Sequence, residues 1–208
     1  MQTSRLEAFS DGVFAIAITL LVLEIPVPEA GEEGLWHALL DQWPSLVSYA
    51  VSFSIIGIIW VNHHAVLDHV LRADRGLLFL NLLLLLWVAF IPFPTALLAD
   101  NLQGDSQHVA AAVYSGTMAL MGVSFGTLWL YVSRRRRLMG VDLTNEQIAL
   151  MTRKFVAGAP IYALAVAVAF VSAPAALAVN AGLAIYYALE LGGGIASPTR
   201  GVKHADDR

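Results

Sequence analysis

The sequence predicts an all-α, polytopic membrane protein with six transmembrane helices and both termini in the cytoplasm. The first reason is composition: 58% of the 208 residues are hydrophobic and 13% are charged, with a mean hydropathy of +0.68. A soluble domain is about half apolar and a quarter charged. The second reason is that the apolar residues form six stretches near the roughly 20 residues that a spanning helix needs. The third is that all 12 Lys and Arg residues lie on one side of the resulting topology.

The first helix is predicted over residues 4–25, in the sequence RLEAFSDGVFAIAITLLVLEI. Pro26 and Pro28 end it, because proline lacks the amide hydrogen that continues a helix. A cleaved signal peptide is not favoured, because Asp11 lies at the start of the apolar stretch and no small-x-small cleavage site follows.

The other five helices are predicted, in chain order, over residues 44–70, 76–98, 108–132, 155–171 and 174–191. Pro92 and Pro94 lie near the end of the third helix. Only Ser172 and Ala173 separate the last two helices, which predicts a tight helical hairpin. The chain is therefore expected to form one membrane domain over residues 1–191. A polar, Gly-rich and flexible cytoplasmic tail is expected over residues 192–208.

The placement of charge predicts the orientation in the membrane. The loops after the first and third helices contain no Lys or Arg, and their acidic residues are Glu29, Glu32, Glu33, Asp41, Asp100 and Asp105. The positive-inside rule puts the opposite, basic side in the cytoplasm. The basic segment 133–154, with a short surface helix expected over residues 145–150, is interpreted as a topological anchor in preference to a site for anionic lipid.

Composition also excludes several functional classes. Cysteine is absent, so disulfides and thiolate metal sites are excluded. No sequence resembles a P-loop. The single basic run, residues 134–137, is short and flanked by apolar helix, so no nucleic-acid partner is expected.

A group of polar residues lies in the cytoplasmic halves of the first three predicted helices. Its members are Arg5, Ser10, Asp11, Trp60, Asn62, His63, His64, Asp68 and Asn81. Ionisable groups inside a bilayer are costly and suggest function. We expect Asp11 to face protein and to pair with Arg5 or a histidine, while Ser10 and Asn81 complete the hydrogen bonds. A structural polar network is favoured over a site that moves protons through histidine.

Two further patterns admit more than one interpretation. His64 and Asp68 are four residues apart, as in helical metal sites, and His69 follows, but there are too few ligands nearby to favour a metalloenzyme. Ile16, Leu20 and Leu23 form an apolar stripe. Such a stripe is typical of helix packing or lipid contact, and it also fits a pore with a hydrophobic constriction.

The pattern R-x-x-x-F-S-D, formed by Arg5, Phe9, Ser10 and Asp11, resembles the signature of the transmembrane protein 175 family. These proteins are potassium channels of lysosomes and of bacterial and archaeal membranes. The similarity continues through GVFAIAITLLVLEI, WVNHHAVLDHV and NLLLLLWVAFIPFPT, whereas helices four to six match only in number and hydropathy. The chain resembles the prokaryotic members, which have a single six-helix unit.

The resemblance implies a homotetrameric potassium-selective leak channel in a prokaryotic plasma membrane, without enzymatic activity or a cofactor. K⁺ would pass through a central pore in the bilayer that is lined by the first helix. Neither the family nor this chain has the TVGYG filter of ordinary potassium channels. By the same resemblance, Ile16, Leu20 and Leu23 form the constriction, and Thr19 contributes to selectivity among monovalent cations.

The resemblance also implies a structural role for the signature residues. They would hold the pore helix through Trp60, His64 and Asn81, with His63 as a further member. Three alternatives stay open. The first is a proton channel or proton-coupled transporter that uses His63, His64 and Asp11. The second is an intramembrane metalloenzyme, and the third is a structural membrane protein without transport.

Overall fold

The computed structural model describes residues 3–29, 34–102, 104–140 and 143–193. Across these ranges the chain is helical and contains no named strand. The α-helices are α1 (Thr3–Leu20), α2 (Leu35–Asp41), α3 (Trp43–Leu67), α4 (Arg75–Phe90), α5 (Pro92–Asn101), α6 (Gln107–Arg134), α7 (Asn145–Ala169) and α8 (Ala173–Gly193). This confirms the predicted all-α class.

Five helical segments are long and apolar enough to cross a membrane. They are Thr3–Glu24, Trp43–Leu67, Arg75–Asn101, Gln107–Arg134 and Asn145–Ala169. A sixth apolar helix, Ala173–Leu189, is shorter than these five over its described residues. The chain is therefore a multi-pass membrane protein. The six-span count and the cytoplasmic termini stay predictions.

The third predicted helix is broken into two. α4 ends at Phe90 and α5 begins at Pro92. Pro92 has no amide hydrogen to donate to the preceding turn, and its ring crowds that turn, so the helix stops and restarts. The first predicted helix also changes character near its end, where residues Leu21–Glu24 form a 3₁₀ turn that continues α1.

The fifth predicted helix begins earlier than expected. The surface helix expected over 145–150 and the membrane helix that follows it are one continuous element, α7. A capping box starts it: the Thr144 hydroxyl accepts from the amide of Gln147 at 3.2 Å, and the Gln147 side chain accepts from the amide of Thr144 at 2.8 Å. The short helix α2 was not among the predicted helices.

The long helix α6 organises the second half of the chain. It packs against α4, α5, α7 and α8, and it contributes the buried side chains of Tyr114 and Trp129. α7 and α8 form the predicted hairpin, because only residues 170–172 separate them and they pack together. α8 continues to Gly193, and residues 194–208 of the predicted tail lie outside the described residues.

The other half of the chain positions α1. This helix packs against α3 and α4, with its 3₁₀ extension against α3 and α5. Its buried side chains recur with helical spacing, so one face of α1 is covered by the same subunit and the other is open. The buried positions are Leu6, Ser10, Phe14, Ala17 and Leu21.

Several arginines lie together at one end of the molecule. The loop after α3 and the loop after α6 meet in an antiparallel bridge between Val70 and Met139. This brings Arg72 and Arg75 to the same end as the run at residues 134–137, as the predicted topology requires. The predicted basic residues Arg200, Lys203 and Arg208, and the predicted outer-loop acids Glu32 and Glu33, lie outside the described residues.

Candidate functional site

The covered face of α1 is fastened by a hydrogen-bonded chain across three helices. The Ser10 hydroxyl of α1 donates to the Leu6 carbonyl at 2.8 Å and accepts from the Asn81 amide of α4 at 3.0 Å. The Asn81 oxygen lies 2.7 Å from Nε2 of His63 on α3. Since the Asn81 amide nitrogen donates to Ser10, its oxygen accepts, and His63 carries the proton at Nε2.

This chain of hydrogen bonds is buried. Ser10 and Asn81 are fully buried, and His63 is buried almost as completely. The His63 ring also packs on Phe14, with ring centroids 5.4 Å apart. A buried amide that is satisfied on both sides holds its neighbours in one arrangement, because breaking either hydrogen bond leaves a polar group unpaired. The hydrogen bonds of Asn81 therefore fix the positions of α1, α3 and α4 relative to one another at Ser10 and His63.

A second layer lies at the open side of α1. Asp11 accepts a hydrogen bond from the indole N–H of Trp60 at 2.8 Å, and both side chains are exposed in the single subunit. The Trp60 ring stacks on His64 at a centroid distance of 6.1 Å. His64 in turn lies 3.8 Å from the carboxylate of Asp68.

The partner of Asp11 is neither Arg5 nor a histidine, which were expected from the residues alone, but Trp60, which the family resemblance implied. The indole of Trp60 reaches the carboxylate from α3, whereas the exposed Arg5 makes no ion pair within the described part of the chain. Arg5 lies nearly two helical turns before Asp11, so their side chains do not meet on one face. The two histidines also differ from expectation, because His63 joins the buried chain and His64 reaches α1 only through Trp60.

Asn62 does not belong to this site. Its side chain donates to the Ile58 carbonyl at 2.9 Å. It lines an apolar cavity of about 60 Å³ between α3, α6, α7 and α8, to which no residue of α1 contributes. The cavity is therefore separate from the polar groups around α1.

The apolar stripe of α1 lies on the open side. Ile16 is 60% exposed and Leu23 is 75% exposed, and Leu20 and Phe9 are also exposed. Thr19 lies among them, and its hydroxyl donates to the Ile16 carbonyl at 2.9 Å. Its proton is thus engaged, and the lone pairs of the hydroxyl oxygen are directed elsewhere.

The predicted pair for a metal has no third ligand in the described residues. His64 and Asp68 are both exposed, and no group of three or more His, Asp or Glu side chains gathers within residues 3–193 where the structure describes them. This pair gives the metalloenzyme alternative no support.

Sequence reasoning missed a second buried hydrogen-bonded chain. Tyr114 lies 3.1 Å from the Ser52 hydroxyl, which lies 2.8 Å from the Thr95 hydroxyl. Thr95 donates to the Ile91 carbonyl at 2.8 Å. This chain ties α3, α5 and α6 together. The available signal was a set of hydroxyl residues inside apolar helices, which hydrogen-bond across helices in membranes.

Comparisons with known proteins all find similarity to the same protein family. The family model described as "Endosomal/lysosomal potassium channel TMEM175" matches residues 5–92. A potassium channel of Streptomyces collinus is 52% identical over 188 residues, covering 89% of this chain and 91% of that protein. The endosomal/lysosomal proton channel TMEM175 of Gallus gallus is 34% identical over 120 residues, covering 53% of this chain and 24% of that protein.

A solved structure extends the agreement to the fold. The crystal structure of a lysosomal potassium-selective channel TMEM175 homolog from Chamaesiphon minutus superposes with a TM-score of 0.82 at 42% sequence identity. The match covers 90% of this chain and 97% of that one. The similarity therefore includes the second half of the chain, where the family model does not reach.

Proposed function

This chain belongs to the TMEM175 family, and on that premise we propose that it is a potassium-selective leak channel of a prokaryotic plasma membrane. Four copies assemble around a central pore lined by α1. Passive conduction needs no catalytic chemistry and no cofactor, and K⁺ is the permeant ion. The channel domain extends to the end of α8 at Gly193 instead of residue 191, and the residues after it form a cytoplasmic tail.

The observation that carries the proposal is the mixed character of the open face of α1. Ile16 and Leu23 are exposed there, as they would be on a lipid-facing helix. Asp11 and Thr19 are exposed as well. A carboxylate that faces hydrocarbon is costly, so this face is better suited to water or to a neighbouring subunit than to lipid.

The chemistry of this face sets the mode of conduction. Leu and Ile side chains offer no oxygen to replace the water shell of an ion, so K⁺ passes the constriction at Ile16, Leu20 and Leu23 with most of its water. Thr19 supplies the nearby side-chain oxygens. Because each Thr19 hydroxyl donates its proton to the Ile16 carbonyl, the lone pairs of its oxygen can face a cation. Selectivity is therefore weaker than in a carbonyl-lined filter.

The acidic end of the pore raises the local cation concentration. Glu24 and Glu29 follow the constriction and are exposed. Negative groups at a pore mouth attract cations, and salt screens this attraction. Conductance at low ionic strength therefore exceeds what the geometry of the pore alone would give.

The proposal is tested by ion flux in liposomes that contain the pure protein. Opposing K⁺ and Na⁺ gradients are set, and the reversal potential is measured for the wild type, Leu23→Ala and Thr19→Ala. Leu86→Ala is the matched control, because Leu86 is also an exposed leucine but lies on α4. We expect a K⁺-leaning reversal potential that changes with Leu23→Ala and Thr19→Ala and not with Leu86→Ala. An absence of passive cation flux would contradict the proposal.

A proton channel is the second candidate, and it is favoured by the name of the Gallus gallus relative. In this chain the relay would consist of His63, His64 and Asp11. Current that rises steeply between pH 7 and pH 5 and disappears in His64→Ala would support it. Proton flux that is unchanged in His64→Ala and His63→Ala would leave the potassium channel as the better description.

A further inference from the structure

We infer that the arginine-rich end of this protein carries a binding surface for the phosphate head group of an acidic phospholipid. The surface, called here the head-group patch, consists of Arg72, Arg75, Arg134 and Arg137. The inference of lipid binding requires that the chain is a membrane protein, and it does not depend on which ion the protein conducts.

The head-group patch stands on a fixed backbone. The amide of Leu71 donates to the Leu138 carbonyl at 2.8 Å, and the amide of Gly140 donates to the His69 carbonyl at 3.0 Å. These bonds join the loop after α3 to the loop after α6. A surface built on two joined loops holds its charged groups near one another, which two independent flexible loops would not do.

Two of the neighbouring arginines maintain this platform. Arg135 donates to the Asp74 carboxylate at 3.2 Å and lies over the Tyr131 ring, 4.3 Å from its centroid. Arg136 donates to the Leu143 carbonyl at 3.2 Å and to the Asn145 side chain at 2.6 Å. These two guanidinium groups are already engaged by the protein, so they are not assigned to the ligand.

The four arginines of the head-group patch are different. All are exposed, and their guanidinium groups donate to no oxygen of the residues that the structure describes. Residues 68–75 and 134–140 together hold six arginines and two carboxylates, those of Asp74 and of Asp68, which lies 3.8 Å from His64. A guanidinium group binds phosphate oxygens through paired, charge-assisted hydrogen bonds. The excess positive charge of these arginines is therefore available to bind the phosphate group of a lipid.

The position of the patch favours a lipid over a soluble anion. Arg75 begins the helical segment Arg75–Asn101 and Arg134 ends the segment Gln107–Arg134, and both segments are long and apolar enough to cross a membrane. Phe79 follows Arg75 by four residues on the same face of α4 and is 71% exposed. Leu86 continues this exposed apolar row further along the helix.

Charged and apolar surfaces thus meet in the order that an amphiphile requires. The phosphate would lie on the arginines, and an acyl chain would lie along Phe79 and the leucines beyond it. Basic pockets between transmembrane helices bind anionic head groups in this way. Exposed Leu71, within the joined loops, extends the apolar border of the patch.

The experiment measures thermal unfolding of the full chain in a neutral detergent. Phosphatidylglycerol, phosphatidylcholine or inorganic phosphate is added to separate samples. We expect phosphatidylglycerol to raise the Tm of the wild type by about 5 °C, as a ligand well above its Kd does for a chain of this size. Phosphatidylcholine and inorganic phosphate should leave the Tm unchanged.

Three variants locate the effect. R72Q/R137Q should lose most of the phosphatidylglycerol shift while keeping the wild-type Tm in detergent alone. R135Q should show the reverse, a lower starting Tm with the lipid shift retained, because Arg135 holds the platform. R153Q, which removes an exposed arginine of α7 outside both loops, should change neither quantity.

Three results would overturn the inference. The first is a full lipid shift in R72Q/R137Q. The second is an equal shift with phosphatidylcholine, which would indicate a response to any lipid. The third is an equal shift with inorganic phosphate, which would indicate a site for soluble anions. None of these readings involves ion flux, so they are independent of the proposed channel function.

Discussion

Asn81 is the residue on which the covered face of α1 depends most directly. Its amide is fully buried, and it joins Ser10 on one side to His63 on the other. In a membrane interior no water replaces a lost partner, so a buried amide at such a junction specifies one arrangement of three helices.

Asn81→Ala should therefore be strongly destabilising. It leaves the Ser10 hydroxyl and the His63 ring without their shared partner, which costs about 2–4 kcal/mol. Thermal unfolding in detergent measures this loss. Asn101→Ala is the matched control, because among the described residues the Asn101 side chain donates only to the Leu97 carbonyl within its own helix. Equal melting temperatures for the two variants would contradict the assigned role.

Asp11 should act in assembly more than in ion preference. Asp11→Ala removes the acceptor for the Trp60 indole, which is a tie between α1 and α3. We expect a smaller tetrameric fraction in size-exclusion chromatography, with the reversal potential of the remaining channels little changed. Asp68→Ala removes an exposed carboxylate that follows α3 and lies 3.8 Å from His64 of that helix, and it should leave the tetrameric fraction unchanged. If Asp11→Ala assembles normally and alters only ion preference, the structural role is wrong.

At the scale of the elements, the helix ends decide the architecture. The start of α4 is capped by Asp74, whose carboxylate accepts from the Leu77 amide at 3.0 Å, from the Tyr131 hydroxyl at 3.0 Å and from Arg135 at 3.2 Å. One side chain thus begins α4, ties it to α6 and fastens the two arginine-rich loops.

These contacts make the stability of the protein sensitive to acid. The Leu77 amide, the Tyr131 hydroxyl and the Arg135 guanidinium favour the ionised form and lower the pKa of Asp74 below its usual value. A lowered pKa contributes stability that is complete above the ordinary carboxyl pKa and is lost as the pH falls toward the folded-state value. The Tm of the wild type should therefore fall more between pH 6 and pH 3 than the Tm of Asp74→Asn.

The matched control for this measurement is Asp68→Asn. Asp68 is an exposed carboxylate at the end of α3, and its side chain lies 3.8 Å from His64. Its pH dependence should follow the wild type. Parallel curves for the wild type and Asp74→Asn would show that Asp74 does not contribute to the acid sensitivity.

At the scale of the whole molecule, the open face of α1 is the surface on which the proposed tetramer would bring other copies of the chain together. One subunit covers Leu6, Phe14 and Leu21 and leaves Ile16 and Leu23 open. In a tetramer with α1 at the axis, four copies of Leu23 would approach one another, whereas Leu86 on α4 would stay apart from its copies.

The absence of cysteine from the chain makes this geometry testable without background. Leu23→Cys should form disulfide-linked dimers on mild oxidation, because a disulfide requires Cβ atoms within about 4.5 Å. Leu86→Cys, with the same substitution at an exposed site, should stay monomeric in denaturing gels. Cross-linking of Leu86→Cys alone would place α4 instead of α1 at the axis.

The prediction from sequence was most reliable where it depended on composition and on the signature. The membrane class, the all-α fold and the family are confirmed. The helix break at Ile91 could have been predicted from the sequence, because Pro92 and Pro94 follow it. The continuous helix α7 was not recognised, because the polar residues 152–154 separate the surface helix expected over 145–150 from the membrane helix expected from residue 155.

The amino-acid sequence by itself determined which residues are polar in an apolar chain, and so which helices carry them. Only the tertiary structure decided the partners. His63 and not its neighbour His64 meets Asn81, because successive residues of a helix point about 100° apart and the angle of α3 against α1 and α4 selects one of them. For the same reason Trp60, and not Arg5, reaches Asp11: hydrogen bonds form between atoms that packing brings within 3 Å, and sequence spacing constrains such distances only within one helix.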